Sequence, residues 1–283
     1  MRDWPPISSP DVLAWMALDD DEWLRAVMAR GGEVEMPPFT EAAYQFGLAY
    51  PWDRPAHSYL LRGGEVRPIA DVDLKAFTAD RHPLVTFGAN GAPHRLVERF
   101  GEFPDPADRD VLVLVGHLDG FDVGANVVPV PYGAVPAVLF HSPDTRVRAA
   151  IIWLTPLQVE TVVFAELGYR IGRLDHAKFE IDEADVGIDT VFAFIGRTGA
   201  LRLSGEPVAL AAVPARDRTV RAMTQEELLQ ALGLLAFGPG TTPRDLAKRC
   251  FEDHGSVVEA LLPHTAPTAL HLPAESWTPY PVE

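Results

Sequence analysis

Short, almost continuous apolar runs dominate the middle of the chain. Residues 111–115 are aliphatic throughout, and similar runs follow at residues 127–130, 137–141 and 148–154. A run of this length without polar alternation is typical of a strand buried on both faces. Because Pro, Gly and Asp separate these runs and no long helix intervenes, the pattern predicts an α+β fold with a mixed or mostly antiparallel, barrel-like sheet.

Apolar residues recur at helical spacing on both sides of this middle region. Near the start, residues 11–30 predict one or two helices with a break at the three aspartates 19–21. Residues 155–166 predict a helix with Thr155 as N-cap and Pro156 at its first position. After Thr224 the chain is predicted to be helical again, and the proline-rich tail after His271 is predicted to lie over the surface.

This pattern gives a three-part organisation without an internal repeat or a low-complexity linker. We expect an N-terminal helical or irregular extension over residues 1–80, a core over residues 81–213 and a C-terminal helical extension over residues 214–283. Together they are expected to form one compact unit, because 283 residues can bury a single sizeable core.

Composition and charge narrow the class of partner. Apolar residues make up 47% of the chain and charged residues 23%, which is a globular composition. The net charge of −16 disfavours nucleic acid and anionic membrane surfaces as partners. The single cysteine, Cys250, excludes an internal disulfide and a cysteine-based zinc cluster. With no signal-peptide pattern and no apolar run of about 20 residues, a cytoplasmic location is expected, and the oligomeric state stays undetermined.

A histidine and two aspartates follow the first aliphatic run, in the sequence GHLDGFDVG. His117, Asp119 and Asp122 are of types that bind metal ions. A turn rich in Gly and Asp has the same composition, and we prefer the turn. No metal site is therefore predicted.

The segment LVTFGANGAPHRLVERF, residues 84–100, predicts a buried strand, a tight turn and an amphipathic helix that begins near Pro93. Its turn places backbone N–H groups beside a helix N-terminus, where anions and developing oxyanions are stabilised. A plain strand-to-helix connection without a ligand has the same pattern, since short glycine loops are weak motifs.

Glu166 ends an otherwise apolar helical segment, in VVFAELGY. A carboxyl group in such a place is expected to be partly buried and suited to proton transfer. A solvated glutamate near a helix end is the alternative. No G-x-S-x-G elbow and no third glycine after the turn is present, which disfavours a serine hydrolase and a dinucleotide-binding protein.

Two segments resemble the γ-glutamylcyclotransferase-like (AIG2-like) family over roughly residues 84–203. FGANGAPHRLVERFG is similar to the family's aromatic-Gly-Ser-Asn turn and following helix, and VRAAIIWLTPLQVETVVFAELGYR is similar to its second signature. Glu166 matches the catalytic glutamate. The residues that this resemblance assigns to substrate binding are Phe87, Gly88, Ala89, Asn90, Gly91 and, more loosely, Tyr169.

The chain departs from the family pattern at four positions. Phe87 replaces Tyr, Ala89 replaces Ser, Gly91 replaces Leu, and Leu167 replaces the Gly after the catalytic acid. Backbone recognition does not depend on these side chains, whereas any role of the lost hydroxyl groups does.

The resemblance implies a metal-independent and cofactor-independent reaction on a small molecule with a γ-glutamyl or similar amide. In the family the substrate's amine attacks its own γ-carbonyl group, closes a lactam and releases an amine. Glu166 would be the general acid/base and the turn would hold a carboxylate or oxyanion. An amidohydrolase on the same fold and a non-catalytic metabolite-binding or scaffold protein are the alternatives, and the four departures favour the latter.

Overall fold

A mixed sheet with helices on both faces organises the protein, whose computed structural model describes residues 4–31, 36–184, 186–188 and 190–281. The strands of the described part are β1 (Tyr59–Arg62), β2 (Glu65–Pro68), β3 (His82–Thr86), β4 (Val111–Ala125), β5 (Ala137–Leu154), β6 (Tyr169–Leu174), β7 (Lys178–Ile181), β8 (Val191–Gly196), β9 (Arg202–Leu203), β10 (Glu206–Pro207), β11 (Ala209–Leu210), β12 (Ala215–Arg216), β13 (Ala222–Met223) and β14 (Trp277–Pro279). The helices of the same part are α1 (Pro10–Ala17), α2 (Asp20–Gly31), α3 (Glu41–Leu48), α4 (Leu74–Thr78), α5 (Pro93–Phe100), α6 (Pro156–Ala165), α7 (Gln225–Phe237), α8 (Pro243–Glu252) and α9 (His254–Thr265).

The antiparallel pair β4 and β5 forms the centre of the sheet. The segment GHLDGFDVG, predicted to be a turn, lies within β4 instead, and the two predicted strands at 137–141 and 148–154 are one strand, β5. Asp119 and Phe121 both lie opposite Arg146, so the pair contains a bulge, and Gly120 takes the positive φ of 80° within it. The glycine and aspartates therefore bend a long strand rather than end it. The run at 127–130, predicted to be a strand, lies outside the strands.

The strands follow the order β13-β11-β4-β5-β3-β8-β6-β14. Most neighbours are antiparallel, while β3 with β8 and β11 with β13 are parallel. The mixed α+β class is therefore confirmed. This path has two free ends and forms no closed barrel within the described residues, so the barrel-like closure is not confirmed.

Both faces of the central strands are buried, which explains their continuous aliphatic sequence. Leu112 and Leu114 of β4 lie in one hydrophobic cluster with residues of α7, α8 and α9. Val113 and the fully buried Val111 lie in the other cluster, with residues of α5 and α6. The alternation of side chains along a strand thus divides one apolar run between two cores.

All three predicted segments of the chain contribute strands to the sheet. β1 pairs with β4, and β14 pairs with β6 in register, with Trp277 opposite Leu174. The tail after His271 is therefore partly a sheet strand, because the Trp277 ring packs over Gly172, where a Cβ atom would meet it at 2.4 Å. No helix in the described part is long and apolar enough to cross a bilayer.

Candidate functional site

A cavity of about 540 Å³ lies beside the turn between β3 and α5. The turn, the end of α6 and the beginning of β6 form one part of its wall. Residues of α1, α2, α9 and the connection between β4 and β5 form the rest. Its volume lies within the range of about 300–1,000 Å³ that is typical of small-molecule sites.

Contacts from behind hold the turn in place. Residues Ala89–Gly91 form one turn of 3₁₀-helix after β3. Arg54 Nη1 donates to the Phe87 carbonyl oxygen at 3.0 Å, and the Tyr59 hydroxyl donates to the Gly91 carbonyl oxygen at 2.9 Å. A Cβ atom at Gly88 would lie 2.8 Å from the Tyr50 hydroxyl, so only glycine fits there without a shift.

Local sequence signals position Glu166 at the end of α6. Thr155 and Gln158 form a capping box, and Pro156 occupies the first turn. The helix ends at Ala165, and Glu166 is its C-cap, with its N–H group bonded to the Val163 carbonyl oxygen. The side chain therefore leaves the helix end toward the turn after β3.

The Glu166 carboxylate contacts the turn directly. Its Oε1 accepts from Asn90 Nδ2 at 3.1 Å and from Arg99 Nη2 at 2.7 Å. Its side chain is 18% exposed and lines the cavity. The other oxygen, Oε2, accepts no hydrogen bond from any residue that the structure describes, which leaves it available to a ligand. The two side chains touch, so no substrate-sized gap separates Asn90 from Glu166.

Several polar atoms at this end of the cavity are buried without a partner among the described residues. They are Asn90 Oδ1, Arg99 Nη1 and Arg95 Nε. Buried donors and acceptors in folded proteins are nearly always satisfied, and leaving one unpaired costs about 1–3 kcal/mol. The three residues that carry these atoms, Asn90, Arg95 and Arg99, all line the cavity.

Sequence reasoning missed the two arginines, although a signal was present. Arg95 and Arg99 stand four residues apart in α5 and therefore share one face, while Leu96 and Phe100 are buried on another. The Arg95 guanidinium also lies 5.2 Å from the centre of the Trp52 ring. The positive charge at the cavity therefore comes from guanidinium groups. The N-terminus of α5 does not supply it, since Pro93 and His94 do not line the cavity.

Two tyrosines, the buried Tyr50 and the half-buried Tyr169, meet at the backbone of Ala137, where β5 begins. The Tyr50 hydroxyl accepts from the Ala137 N–H group at 3.0 Å, and the Tyr169 hydroxyl donates to the Ala137 carbonyl oxygen at 2.7 Å. Burial raises the pKa of Tyr50 to about 12 and raises the pKa of Tyr169 well above its ordinary value. Both phenols therefore stay protonated at neutral pH, and Tyr50 was not singled out from the sequence.

Most of the residues expected to bind substrate come together at the cavity: the residues that line it are Phe87, Gly88, Ala89, Asn90 and Tyr169, together with Glu166. Gly91 does not line the cavity. Its carbonyl oxygen accepts from the Tyr59 hydroxyl, and its assignment to substrate binding stays a prediction.

The carboxylates near His117 do not converge on a metal position. His117 Nδ1 lies 3.0 Å from Asp182 Oδ1, the fully buried Asp122 pairs with Arg218, and Asp119 pairs with Arg146. No group of three or more His, Cys, Asp or Glu side chains suited to a metal ion occurs in the described ranges.

No protein-family model and no curated protein sequence matches this chain. The chemistry of the site must therefore be argued from its own atoms. A carboxylate with one free oxygen, two guanidinium groups and a buried phenol surround one end of the cavity. Such a set can move a proton, hold a carboxylate and stabilise an oxyanion.

Proposed function

We propose that this protein is a γ-glutamylcyclotransferase-like enzyme that cleaves a γ-glutamyl or similar amide by intramolecular acyl transfer. One observation carries the proposal: Glu166 holds a free carboxylate oxygen at the cavity, next to the turn that bears Asn90. Its neighbours fix the first oxygen and leave the second for the reaction. The family's barrel-like fold belongs to the same proposal, since the large mixed sheet is compatible with it.

The reaction closes a ring and releases an amine. The α-amine nitrogen of the substrate attacks the γ-carbonyl carbon and forms a new C–N bond in a five-membered lactam, and the C–N bond to the leaving amine breaks. The attacking nitrogen gives up two protons as it passes from ammonium to lactam N–H, and the leaving nitrogen takes up two. Glu166 Oε2 carries these protons one at a time, so neither water nor a cofactor is consumed.

The charges at the cavity fit a substrate that carries a carboxylate. Arg95 and Arg99 both line the cavity, where Arg99 pairs with Glu166, while Arg95 pairs with Glu98 on the same helix. A guanidinium group binds a carboxylate through paired N–H donors, and Arg99 lines the cavity beside Glu166. The substrate's α-carboxylate is therefore placed against α5, and its γ-carbonyl group against Glu166.

Tyr50 supplies a hydroxyl group near the place where the family's tyrosine hydroxyl is lost at Phe87. Its oxygen would lie 2.8 Å from a Cβ atom on Gly88, and no residue in the described part of the chain accepts its phenol proton. A phenol that stays protonated can donate to the oxyanion that forms on the γ-carbonyl oxygen. We assign this role to Tyr50.

A non-catalytic metabolite-binding protein is the second candidate, and the contact between Arg99 and Glu166 favours it. The pair lies at 2.7 Å, with the Arg99 side chain 10% exposed. The guanidinium group and the Asn90 amide already occupy one carboxylate oxygen, as in a site that holds Glu166 in place rather than using it for proton transfer. Catalysis requires that the carboxylate of a bound substrate also pairs with Arg99 and so weakens the ion pair between Arg99 and Glu166.

Replacement of Glu166 by Gln tests the proposal. The variant keeps the shape of the side chain and loses proton transfer, so formation of the cyclic product should fall by about 10²–10⁴-fold while the melting temperature stays close to that of the wild type. Glu102→Gln is the matched control, because it removes the same charge from an exposed site outside the cavity. Equal turnover in the two variants would refute the role of Glu166.

A further inference from the structure

The cavity has a second, apolar end that the glutamyl group does not need. Its walls come from α2 through Trp23, Leu24 and Val27, and from α9 through Val258 and Leu262. A γ-glutamyl group is much smaller than the drug-sized ligands that fill cavities of about 300–1,000 Å³. The cavity of about 540 Å³ therefore leaves room for a further part of the substrate.

The apolar end begins directly beside the proposed acid/base. The indole N–H groups of Trp15 and Trp23 both donate to the carbonyl oxygen of Leu167, the residue after Glu166. The fully buried Arg197 guanidinium bonds the Leu18 carbonyl oxygen at 2.9 Å and so fixes the connection between α1 and α2. These contacts hold α2 beside Glu166. The leaving amine of the substrate would extend toward this helix and away from Asn90.

Apolar side chains that are only half-buried line this end. Leu24, Val27 and Leu262 each keep part of their surface accessible and line the cavity. His254 lies nearby, with Nε2 donating to the Pro129 carbonyl oxygen at 2.9 Å, and burial lowers the pKa of its imidazole. A neutral histidine adds no charge, so this end of the cavity favours an apolar group over an ionic one.

We infer that the amine half of the substrate is bulky and apolar, and that it lies between α2 and α9. The inference rests on the proposed function for the γ-glutamyl half. The segments that build this end, residues 10–31 and 254–265, lie outside the stretch that resembles the family. The N- and C-terminal extensions thus select the leaving amine, while the central strands and helices perform the reaction.

A series of γ-glutamyl amides with increasing alkyl chains tests this inference. We expect kcat/KM for release of the cyclic product to rise by about fourfold for each added methylene, the factor that corresponds to burial of one CH₂ group. γ-Glutamylglycine should be the poorest substrate of the set. If kcat/KM for γ-glutamylglycine equals or exceeds that for γ-glutamylhexylamide, the inference is overturned. The proposed cyclisation reaction is not affected by that result.

Glutaryl amides separate binding from chemistry, because they lack the amine that attacks. Their affinity, measured by calorimetry, should also rise with alkyl chain length. If affinity rises but no γ-glutamyl amide is cyclised, the apolar end is supported and the proposed function fails. If glutaryl amides do not bind with any dependence on chain length, the inference is overturned whatever the turnover.

Leu262→Ser places a hydroxyl group in the apolar end and should reduce the ratio of kcat/KM for the hexylamide over glycine by about tenfold. Leu235→Ser is the matched control on α7, where the side chain is 41% exposed and outside the cavity. If Leu262→Ser lowers the melting temperature, the same ratio of kcat/KM is measured on Val27→Ser, a variant of the opposite wall. An unchanged ratio in both cavity variants contradicts the inference.

Discussion

The hydrogen bonds within the site determine which donors and acceptors remain for a ligand. Asn90 and Arg99 occupy the same oxygen of Glu166, and Tyr169 has committed its proton to Ala137. Among the described residues of this site, the donors left over are Arg95 Nε, Arg99 Nη1 and the Tyr50 phenol proton. The two predictions at this scale concern these leftover donors.

Arg99→Lys should weaken substrate binding more than it slows the chemical step. Lysine keeps the positive charge near Glu166 but cannot offer paired donors to a carboxylate, so we expect KM to rise by about tenfold with kcat changed by less than about threefold. Steady-state kinetics on one γ-glutamyl amide measures both. Arg109→Lys is the control, since that side chain lies outside the cavity. A change confined to kcat would contradict the assignment of Arg99 to substrate binding.

Tyr50→Phe should reduce kcat by about 10²–10³-fold, the loss typical of one oxyanion donor. It also removes the acceptor of the Ala137 N–H group, which should lower the free energy of unfolding by about 1–3 kcal/mol. Tyr169→Phe is the comparison, because it also removes a hydrogen bond to Ala137 from a residue that lines the cavity, but one whose phenol proton is already donated to the backbone. We expect a similar loss of stability from it and a much smaller loss of kcat. Similar kcat values in the two variants would count against Tyr50 as the donor.

At the scale of elements, local signals predicted α6 well and β4 poorly. Thr155 and Pro156 begin the helix as the sequence indicated, because a cap and a proline act within one turn. The strand β4 continues through Gly116 and Gly120 because β5 supplies a hydrogen-bonding partner along its whole length. That partner lies in another part of the chain, so a local reading of Gly and Asp residues predicts a turn instead.

The same distinction applies to the candidate site. Glu166 and the turn at 87–90 were singled out from the sequence because both segments resemble a family pattern, and both line the cavity. Tyr50 and Trp23 were not found, because they reach the cavity only through tertiary packing. No spacing rule connects them to Glu166 in the sequence.

Thr155→Ala should lower the free energy of unfolding by about 0.5–2 kcal/mol through loss of the capping box of α6. Because α6 positions Glu166, turnover should fall as well. Thr242→Ala is the control, since Thr242 forms the capping box of α8, which does not line the cavity. Chemical denaturation and product release, measured on both variants, should show similar losses of stability and a loss of turnover in Thr155→Ala alone. Parallel losses of turnover would show that the effect is general destabilisation.

For the whole molecule, the half-buried His254 makes stability depend on pH. Burial lowers the pKa of its imidazole below the ordinary value of 6.5, against the opposite effects of the Pro129 carbonyl group and Asp253. The unfolded chain therefore binds the proton more readily, so this contribution is complete above about pH 6.5 and is lost as pH falls toward the folded pKa.

His254→Gln should reduce this dependence. Between about pH 7.5 and about pH 5.5 the wild type should lose more unfolding free energy than the variant, by at most about 1.4 kcal/mol per pH unit. Urea denaturation at several pH values measures the difference between the two proteins, in which the effects of other titrating groups cancel. Identical pH profiles would contradict a neutral, half-buried His254.

The cavity joins residues that lie far apart in the chain, from Trp15 in α1 to Leu262 in α9. Contacts of such long sequence separation form late, because the chain must first close a large loop. During synthesis, the contacts between α2 and α9 can form only after α9 has left the ribosome. We therefore expect the nascent chain to rely on chaperones at that stage, with the end of the cavity proposed to receive the amine half of the substrate being the last to become protected from aggregation.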